Sequence, residues 1–176
     1  YDPTFNCDSV VSDSAFGSYC LTEHLVSKGI KDITFIGSIK STSSIMDRYL
    51  GYYKCMVLHG LGQYVKDIED RDEAGRFIKL ALPSKLPQAF VCNCDEIAFR
   101  LLQQLRDLNI KVPQEISVMG FDGSNISLIS TPSISTYKVN VDAMTDIATS
   151  IIVRLIKKKR VTIKRSVVAG HLILRD

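Results

Sequence analysis

The sequence predicts an α/β fold in which a parallel sheet is flanked by helices. Apolar β-type runs alternate with helical patterns along the chain, and this alternation indicates βαβ units. The run Ala89-Phe90-Val91-Cys92 is continuously apolar, as is typical of a parallel strand that is buried on both faces. No repeat or low-complexity segment interrupts the pattern.

The order of the elements follows from the apolar periodicity and its breaks. Two predicted helices end where Gly29 and Gly60 follow the last apolar position. The first half of the chain has a strand at 9–12, a helix from there to about 28, a strand at 32–36, a polar loop at 37–44, a helix from about 45 to 59, a short strand near 64–68 and a helix from about 73 to 82. The second half has a strand at 89–92, an amphipathic helix at 97–108, a strand at 116–119, a helix at 144–155 and short strands at 166–168 and 172–174.

Length and composition limit the possible architectures. At 176 residues the chain fits one domain, or one lobe of a two-lobed protein with pieces of the other. Its 45% hydrophobic and 23% charged residues are typical of globular proteins. No run of about 18 apolar residues is present, so neither a transmembrane helix nor a membrane partner is expected. The start, Tyr1-Asp2-Pro3-Thr4, lacks a signal sequence and an initiator Met, and we expect the true start to lie upstream.

Charge and cysteine usage narrow the function classes. A net charge of +3 is too small to indicate nucleic-acid binding by itself. The basic cluster at 157–160, followed by Lys164 and Arg165, is interpreted as a solvated helix end rather than a phosphate contact. The five scattered cysteines predict reduced thiols in the cytoplasm. Cys92-Asn93-Cys94 has no second cysteine or histidine pair nearby in the sequence, so no metal is expected there.

Polar side chains follow three of the predicted strands at their carboxyl ends, where open α/β sheets bind ligands. The loop at 37–44 leads into Asp47 and Arg48, the strand at 89–92 is followed by Cys94 and Asp95, and a third strand is followed by Asp122. Arginine offers a rigid fork of donors and aspartate a pair of acceptors, which together can satisfy adjacent hydroxyls. The sequence therefore predicts a site for a small polar ligand at this edge of the sheet.

These residues also have purely structural explanations, which the sequence leaves open. They are an N-cap for Asp95, a turn cap with Gly123 for Asp122, a surface ion pair with Asp47 or Glu23 for Arg48, a core position for Phe16 and plain loop for residues 41–44.

A catalytic function is not indicated. The sequence has no nucleophile elbow, phosphate-binding glycine loop or dinucleotide fingerprint, so no cofactor is expected. None of the three histidines (His24, His59 and His171) stands at the predicted ligand edge beside a nucleophile. Binding is therefore favoured over catalysis.

Five segments carry a specific pattern in their order and spacing. They are Asp13-x-x-x-Gly17 with Glu23-His24-Leu25 and Gly29; Ile33-x-Phe35-Ile36-Gly37; Asp47-Arg48-x-x-Gly51-Tyr52; Ala89-Phe90-Val91-Cys92 with Asp95-x-x-Ala98; and Val112-Pro113-x-x-Ile116-Ser117-Val118-x-Gly120-Phe121-Asp122. Pro132-x-Ile134-Ser135-Thr136 and His171-Leu172-x-Leu174-Arg175 extend it. Any one segment is weak, but the ordered set covers nearly the whole chain and resembles the lactose-repressor/galactose-repressor (LacI/GalR) family of bacterial transcription regulators.

The resemblance implies a two-lobed fold of the periplasmic-binding-protein type (type I), with the ligand held between the lobes. By this likeness, residues 15–136 and 161–176 belong to the C-terminal lobe, and residues 1–14 and 137–160 belong to the N-terminal lobe. The family's DNA-binding helix-turn-helix and the first half of its N-terminal lobe have no counterpart in this sequence, so most of that lobe is expected to be missing.

The resemblance also implies a function: an effector-binding and dimerisation domain that senses a sugar or related metabolite. The implied partners are this small molecule, a second copy of the chain, and operator DNA that is reached only through the missing helix-turn-helix. Exposed apolar residues on the helix at 95–108 and the loop at 123–131 resemble the family's dimer surface. The alternative on the same fold is the sugar-binding protein of a transporter, which the missing signal peptide and the free cysteines disfavour.

Five candidate ligand-binding residues follow from the resemblance by position. Arg48 matches the family arginine that grips ligand hydroxyls or a polar ring edge, and Asp122 matches the acid on the opposite strand end. Cys94 replaces an Asn common in sugar-responsive members, which removes a hydrogen-bonding amide. The other two candidates, Phe16 and Ser44, stand where several members present ligand contacts. Outside these five, Val141 departs from the family pattern, in which an aromatic often stacks at this position, and Asp95 matches a family Asp with a structural capping role.

Overall fold

The computed structural model describes residues 7–157 and 165–175, which form eight β-strands and five α-helices. The strands are β1 (Ser9–Ser12), β2 (Ile33–Ile36), β3 (Asp67–Ile68), β4 (Ala89–Cys92), β5 (Ser117–Asp122), β6 (Ser135–Lys138), β7 (Arg165–Val168) and β8 (His171–Ile173). The helices are α1 (Ser14–Ser27), α2 (Ser43–Leu58), α3 (Asp95–Asp107), α4 (Asn125–Ile129) and α5 (Val141–Ile156).

The strands form two sheets, and the pairing is predominantly parallel. Six strands lie in the order β3-β2-β4-β5-β6-β8, while β1 pairs with β7 in a separate two-stranded sheet. Every pairing between these strands is parallel except that of β6 with β8. The predicted α/β class, with a parallel sheet flanked by helices, is confirmed.

The position of β4 between two layers of helices explains why its sequence is apolar throughout. Ala89 and Val91 belong to the core cluster that contains residues of α1 and α2. Phe90 and Cys92 belong to a second cluster that contains the apolar face of α3. Because side chains alternate between the faces of a strand, a strand covered by helices on both sides needs an apolar residue at every position.

The predicted helix from about 73 to 82 is wrong. The segment makes a tight turn in which the Asp72 carboxylate accepts the backbone N–H groups of Ala74 and Arg76. Gly75 has a φ of +76°, a left-handed conformation that glycine adopts without strain. Asp72 thus satisfies donors that a helix would have paired with carbonyls, which is the way such side chains compete with helices.

Two further strand boundaries differ from the prediction, and two elements were not predicted. The strand predicted at 116–119 continues through the buried Gly120 and Phe121 to Asp122, and the strand predicted near 64–68 is a 3-10 turn at Gly62–Tyr64 followed by the two-residue β3. The elements that were not predicted are α4, within the loop at 123–131, and β6, whose sequence Ser-Thr-Tyr-Lys is mostly polar.

The smaller sheet brings together segments that are far apart in sequence. Helix α5 contacts both of its strands, β1 and β7. These pairings place β7 and β8 in different sheets, and Tyr137 and Lys138 of β6 lie in the six-stranded sheet. Of the basic cluster, residues 158–160 and Lys164 lie outside the described residues, whereas Lys157 and Arg165 are described. Among the helices described, none is long and apolar enough to cross a bilayer.

Candidate ligand-binding site

The Arg48 guanidinium lies at the carboxyl edge of the six-stranded sheet and is held on three sides. Its Nη2 is 3.0 Å from Oδ1 of Asp122, and its Nη1 donates to the backbone carbonyl of Asn93. Its Cζ lies 3.9 Å above the centroid of the Phe121 ring, a cation–π contact. The side chain is 11% exposed, and its Nε is buried with no hydrogen-bond partner among the described residues.

The surface ion pairs considered for Arg48 do not form. Asp47 pairs instead with Arg165 at 3.7 Å, and Glu23 pairs with His59. Arg48 points inward because α2 places it next to the ends of β4 and β5, where a carbonyl and a carboxylate are both within reach. The strand-end rule thus predicted its surroundings correctly.

Asp122 ends β5 in an unusual backbone conformation. Its φ is +104°, which costs a non-glycine residue about 1–3 kcal/mol. The alternative of a turn cap does not hold, because the Gly123 N–H donates to Oγ1 of Thr136 and the Asp122 carboxylate faces Arg48. Burial raises the pKa of Asp122, and the nearby Arg48 opposes this shift.

A groove adjoins the Asp122 carboxylate at the same edge of the sheet. It has a volume of about 540 Å³, and Val141 at the start of α5, Lys138 and His171 contribute to its walls. The structure therefore brings Asp122 and Val141, two residues singled out in the sequence, to one cavity. The Asp122 side chain is 41% exposed, so its carboxylate is accessible to a ligand as well as to Arg48.

Cys94 occupies the N-cap position of α3. The charges of Asp122, Arg48 and Arg71 all act on its thiol. Burial raises the pKa of Cys94 to about 11, so the thiol is protonated at neutral pH. A protonated thiol is not nucleophilic and is only a weak hydrogen-bonding group.

Asp95 does not cap its own helix, so this prediction is wrong. Its buried carboxylate accepts the backbone N–H of Ser124 at 2.6 Å and the Ser124 hydroxyl at 3.0 Å. It also accepts the Thr136 hydroxyl at 2.6 Å. Asp95 thus ties the start of α3 to the start of α4 and to β6, and its role is structural.

Phe16 and Ser44 lie at helix starts and contact neither Arg48 nor Asp122 in any described hydrogen bond, ion pair or ring contact. Phe16 is 53% exposed in the first turn of α1, so a core position is excluded. It lines a groove of about 480 Å³ between α1 and α2. Ser44 is exposed in the first turn of α2, four residues before Arg48 and hence on the same helix face.

A buried polar network beside Arg48 was missed by sequence reasoning. Asp70 is fully buried and accepts the Ser38 N–H at 2.7 Å and the Asn93 side-chain amide at 2.8 Å. Its other neighbour is Arg71, whose Nε lies 3.2 Å away. The network fixes Asn93, whose carbonyl accepts from Arg48. The strand-end rule could have found these residues, because Asn93 directly follows β4 and Asp70 comes shortly after β3.

The assembled edge can bind a small polar molecule. It offers the guanidinium of Arg48, the carboxylate of Asp122, and a groove that leads from Asp122 to the start of α5. Recognition of a small ligand requires a concave site with a small number of precisely placed polar groups.

Comparisons with known proteins agree with this fold. The model of the family described as a periplasmic binding protein-like domain matches residues 22–176. The HTH-type transcriptional regulator RegA of Clostridium saccharobutylicum is 33% identical over 174 residues, which cover 96% of this chain and 52% of RegA. The HTH-type transcriptional repressor PurR of Glaesserella parasuis is 29% identical over 134 residues, which cover 73% of this chain and 39% of PurR. Both relatives are named as regulators of transcription rather than as enzymes.

A solved structure shares the same architecture. The crystal structure of a periplasmic binding protein/LacI transcriptional regulator from Alkaliphilus metalliredigens, complexed with D-xylulofuranose, superimposes with a TM-score of 0.85 at 22% identity. The match covers 97% of this chain and 65% of that one. The chain therefore spans about half the length of RegA and about two thirds of this structure.

Proposed function

The chain belongs to the LacI/GalR family, as a periplasmic-binding-protein-like effector domain, and from this we propose that it senses a sugar or a related polar metabolite for a transcription regulator. Effector binding would alter operator affinity in a linked helix-turn-helix domain, and the regulator would act in the cytoplasm. Such coupling requires only that the effector bind two arrangements of the protein with different affinity.

One observation carries the assignment of the site. Arg48 is oriented by Asp122, Asn93 and Phe121, yet its buried Nε has no partner within the described part of the chain. A buried polar group without a partner is costly, and a shift of the Arg48 side chain on effector binding would let Nε donate to an acceptor on the ligand. Cys94, Phe16 and Ser44 complete the proposed set of contacts. The D-xylulofuranose bound to the structure from A. metalliredigens supports a sugar-like effector.

The division into lobes is a proposal that the uncovered surface of α5 supports. Only Ile151 of this helix is buried among its described side chains, whereas Ile152, Leu155 and Ile156 are each more than half exposed. Apolar helix faces require a partner in globular proteins. We propose that β1, β7 and α5 pack against further segments of an N-terminal lobe, and that the effector lies between this lobe and the Arg48 edge.

Dimerisation is proposed through the outer face of α3 and α4. Leu108, just after α3, is 56% exposed, and Leu128 and Ile129 in α4 are 62% and 76% exposed. Helices α3 and α4 contact each other, so these side chains can contribute to one surface. Exposed large apolar residues near one another are typical of association surfaces. The alternative of a transporter's sugar-binding protein is not favoured, because the relatives compared are regulators.

The site is tested by calorimetry of the full-length regulator against a panel of sugars, phosphosugars and nucleobases. Arg48→Ala should weaken the best ligand about tenfold to a hundredfold, since hydrogen bonds to a charged group contribute about 1.5–3 kcal/mol. The matched control is Arg76→Ala, because Arg76 is exposed and pairs only with the nearby Asp72 among its described contacts. Unchanged affinity in Arg48→Ala would contradict the site assignment, and no binding by any compound in the panel would contradict the effector class.

A further inference from the structure

Three potential metal ligands meet between α1 and α2, away from the proposed effector site. Nε2 of His59 lies 2.6 Å from Oε2 of Glu23, and Sγ of Cys55 lies 3.4 Å from the same oxygen. The ligand atoms of all three residues lie within 4.8 Å of one another. Cys55 and His59 are four residues apart at the end of α2, and this spacing places them on one face.

We propose that Glu23, Cys55 and His59 form a binding site for a divalent transition metal ion of the Zn²⁺ type. Thiolate, imidazole and carboxylate are the ligands that zinc takes in proteins, and a water molecule can supply the fourth. Ion–ligand distances of about 2.0–2.3 Å place neighbouring ligand atoms of a tetrahedral site about 3–4 Å apart. The Cys55–Glu23 distance already fits, and the His59–Glu23 distance needs to increase by less than about 1 Å.

A surface ion pair alone does not account for this cluster. Glu23 and His59 are partly exposed and could pair without help, but the third member, Cys55, is fully buried and directs its thiol at the carboxylate. Burial and the nearby Glu23 raise the pKa of Cys55 to about 12, so without metal the thiol keeps its proton. A bound cation supplies the opposite charge that a buried thiolate and carboxylate together require.

Metal binding at this site exchanges protons for the ion. The S–H bond of Cys55 breaks, its proton goes to solvent, and the sulfur pair forms the bond to the metal, because a coordinating thiol is deprotonated outright. His59 ligates through an imidazole nitrogen that carries no proton. Two ligand charges of −1 then balance an ion of charge +2, and no electron is transferred.

The proposed metal would link α1 to α2 without touching the effector edge. Cys55 follows Arg48 by seven residues, which is about 10 Å along a helix. The sequence-based expectation of no metal concerned Cys92-Asn93-Cys94. It missed this cluster because Glu23 lies 32 residues before Cys55, and only the packing of α1 against α2 brings them together.

Titration of the metal-free chain with Co²⁺ tests the proposal, because thiolate ligation produces a sulfur-to-cobalt charge-transfer band. The chain should bind one equivalent with this band, and Zn²⁺ should displace the cobalt. Cys55→Ser should abolish the band. His59→Gln should weaken binding at least about tenfold, the lower end of what even outer-shell partners of metal ligands contribute. The controls, His24→Gln and Cys7→Ser, remove the same residue types outside the cluster and should bind like the parent chain.

Absence of the band in the parent chain, or equal cobalt affinity in the parent, Cys55→Ser and His59→Gln, would overturn the proposal. X-ray absorption of the Zn²⁺-loaded parent chain needs no variant that could misfold. It should show one sulfur at about 2.3 Å and nitrogen or oxygen at about 2.0–2.2 Å, and a shell without sulfur would also overturn the proposal. Effector binding has no part in these measurements, so their outcome is independent of the proposed function.

Discussion

Asp122 holds its carboxylate beside Arg48 through a backbone conformation that few residues other than glycine adopt. With a φ of +104°, followed by Gly123 at +70°, the chain turns sharply at the end of β5. The Asp122 carbonyl accepts the Val139 N–H at 3.1 Å, which links this turn to the end of β6. Strain of this kind persists only where the surrounding structure enforces it, and here it lies at the proposed ligand contact.

The raised pKa of Asp122 predicts a pH dependence of stability. Because burial raises the pKa of this carboxyl in the folded state, the folded state binds the proton more tightly than the unfolded state. The penalty for ionising Asp122 is absent below its unfolded pKa, near 3.9, and develops fully as the pH rises through the folded pKa. The free energy of unfolding of the parent chain, measured in urea relative to Asp122→Asn, should therefore fall with rising pH across this interval.

The amide in Asp122→Asn does not titrate, so a constant effect of the substitution on stability only offsets the two curves. The slope of their difference with pH reports the pKa of Asp122. A difference that rises with pH through the same interval would contradict a raised pKa and would indicate that Arg48 dominates.

At the scale of elements, Asp95 joins α3, α4 and β6 through one buried carboxylate. Asp95→Ala leaves the N–H and hydroxyl of Ser124 and the hydroxyl of Thr136 without their acceptor. We expect the free energy of unfolding to fall by about 2–4 kcal/mol, because the hydroxyl of the buried Thr136 loses its acceptor and the tie to α4 is lost as well. The control is Glu96→Ala, which removes a partly exposed pair with Arg100 and should cost less than about 1 kcal/mol. Equal losses in urea titrations would show that Asp95 is not a tie between elements.

The close packing of α1 against α2 depends on Gly51. A Cβ at this position would overlap the backbone carbonyl of Ala15 and would lie 3.0 Å from the Tyr19 nitrogen. Alanine gains up to about 1 kcal/mol in helix propensity over glycine, but backbone atoms cannot give way as a side chain does. Gly51→Ala should therefore destabilise the chain by about 1–3 kcal/mol in thermal or urea unfolding.

Gly62→Ala is the matched control for Gly51, because a Cβ there meets only the Val57 side chain at 3.8 Å. Its effect should stay within about 0.5 kcal/mol. A Gly51→Ala variant as stable as Gly62→Ala would mean that α1 and α2 can separate at little cost.

Elements were predictable where one local signal dominated. The amphipathic α3 and the continuously apolar β4 are strongly patterned, and both form as predicted. The segment at 73–82 misled because its composition suits a helix, while the turn around Asp72 and Gly75 depends on side-chain hydrogen bonds that periodicity does not record. Strand β6 is mostly polar and is buried by neighbours that are distant in sequence, so its pattern gave no signal.

The proximity of Arg48 and Asp122 was predictable from the sequence, but the pairings around them were not. The rule that ligands bind at the carboxyl ends of parallel strands brought Arg48 and Asp122 together correctly. The Asp95 contacts to Ser124 and Thr136 could not be predicted, because they cross between elements 29 and 41 residues apart. Pairings at such separations are determined by the tertiary packing of the sheet, which a single sequence does not specify.

For the whole molecule, the exposed apolar surface of α4 predicts association of two chains. Leu128 and Ile129 are among the most exposed large apolar side chains described, and each aspartate placed there would put a charge into the proposed apolar contact, where an unpaired charge is costly. The double variant Leu128→Asp/Ile129→Asp should therefore shift the chain from dimer to monomer in sedimentation equilibrium. Each 1.4 kcal/mol of association free energy lost weakens the dimer about tenfold. The control is Leu58→Asp, since Leu58 on α2 is 65% exposed and lies outside the proposed surface, and this variant should remain dimeric. Monomeric parent chain at every concentration tested, or a dimer unaffected by the double variant, would contradict the α3–α4 surface as the dimer contact.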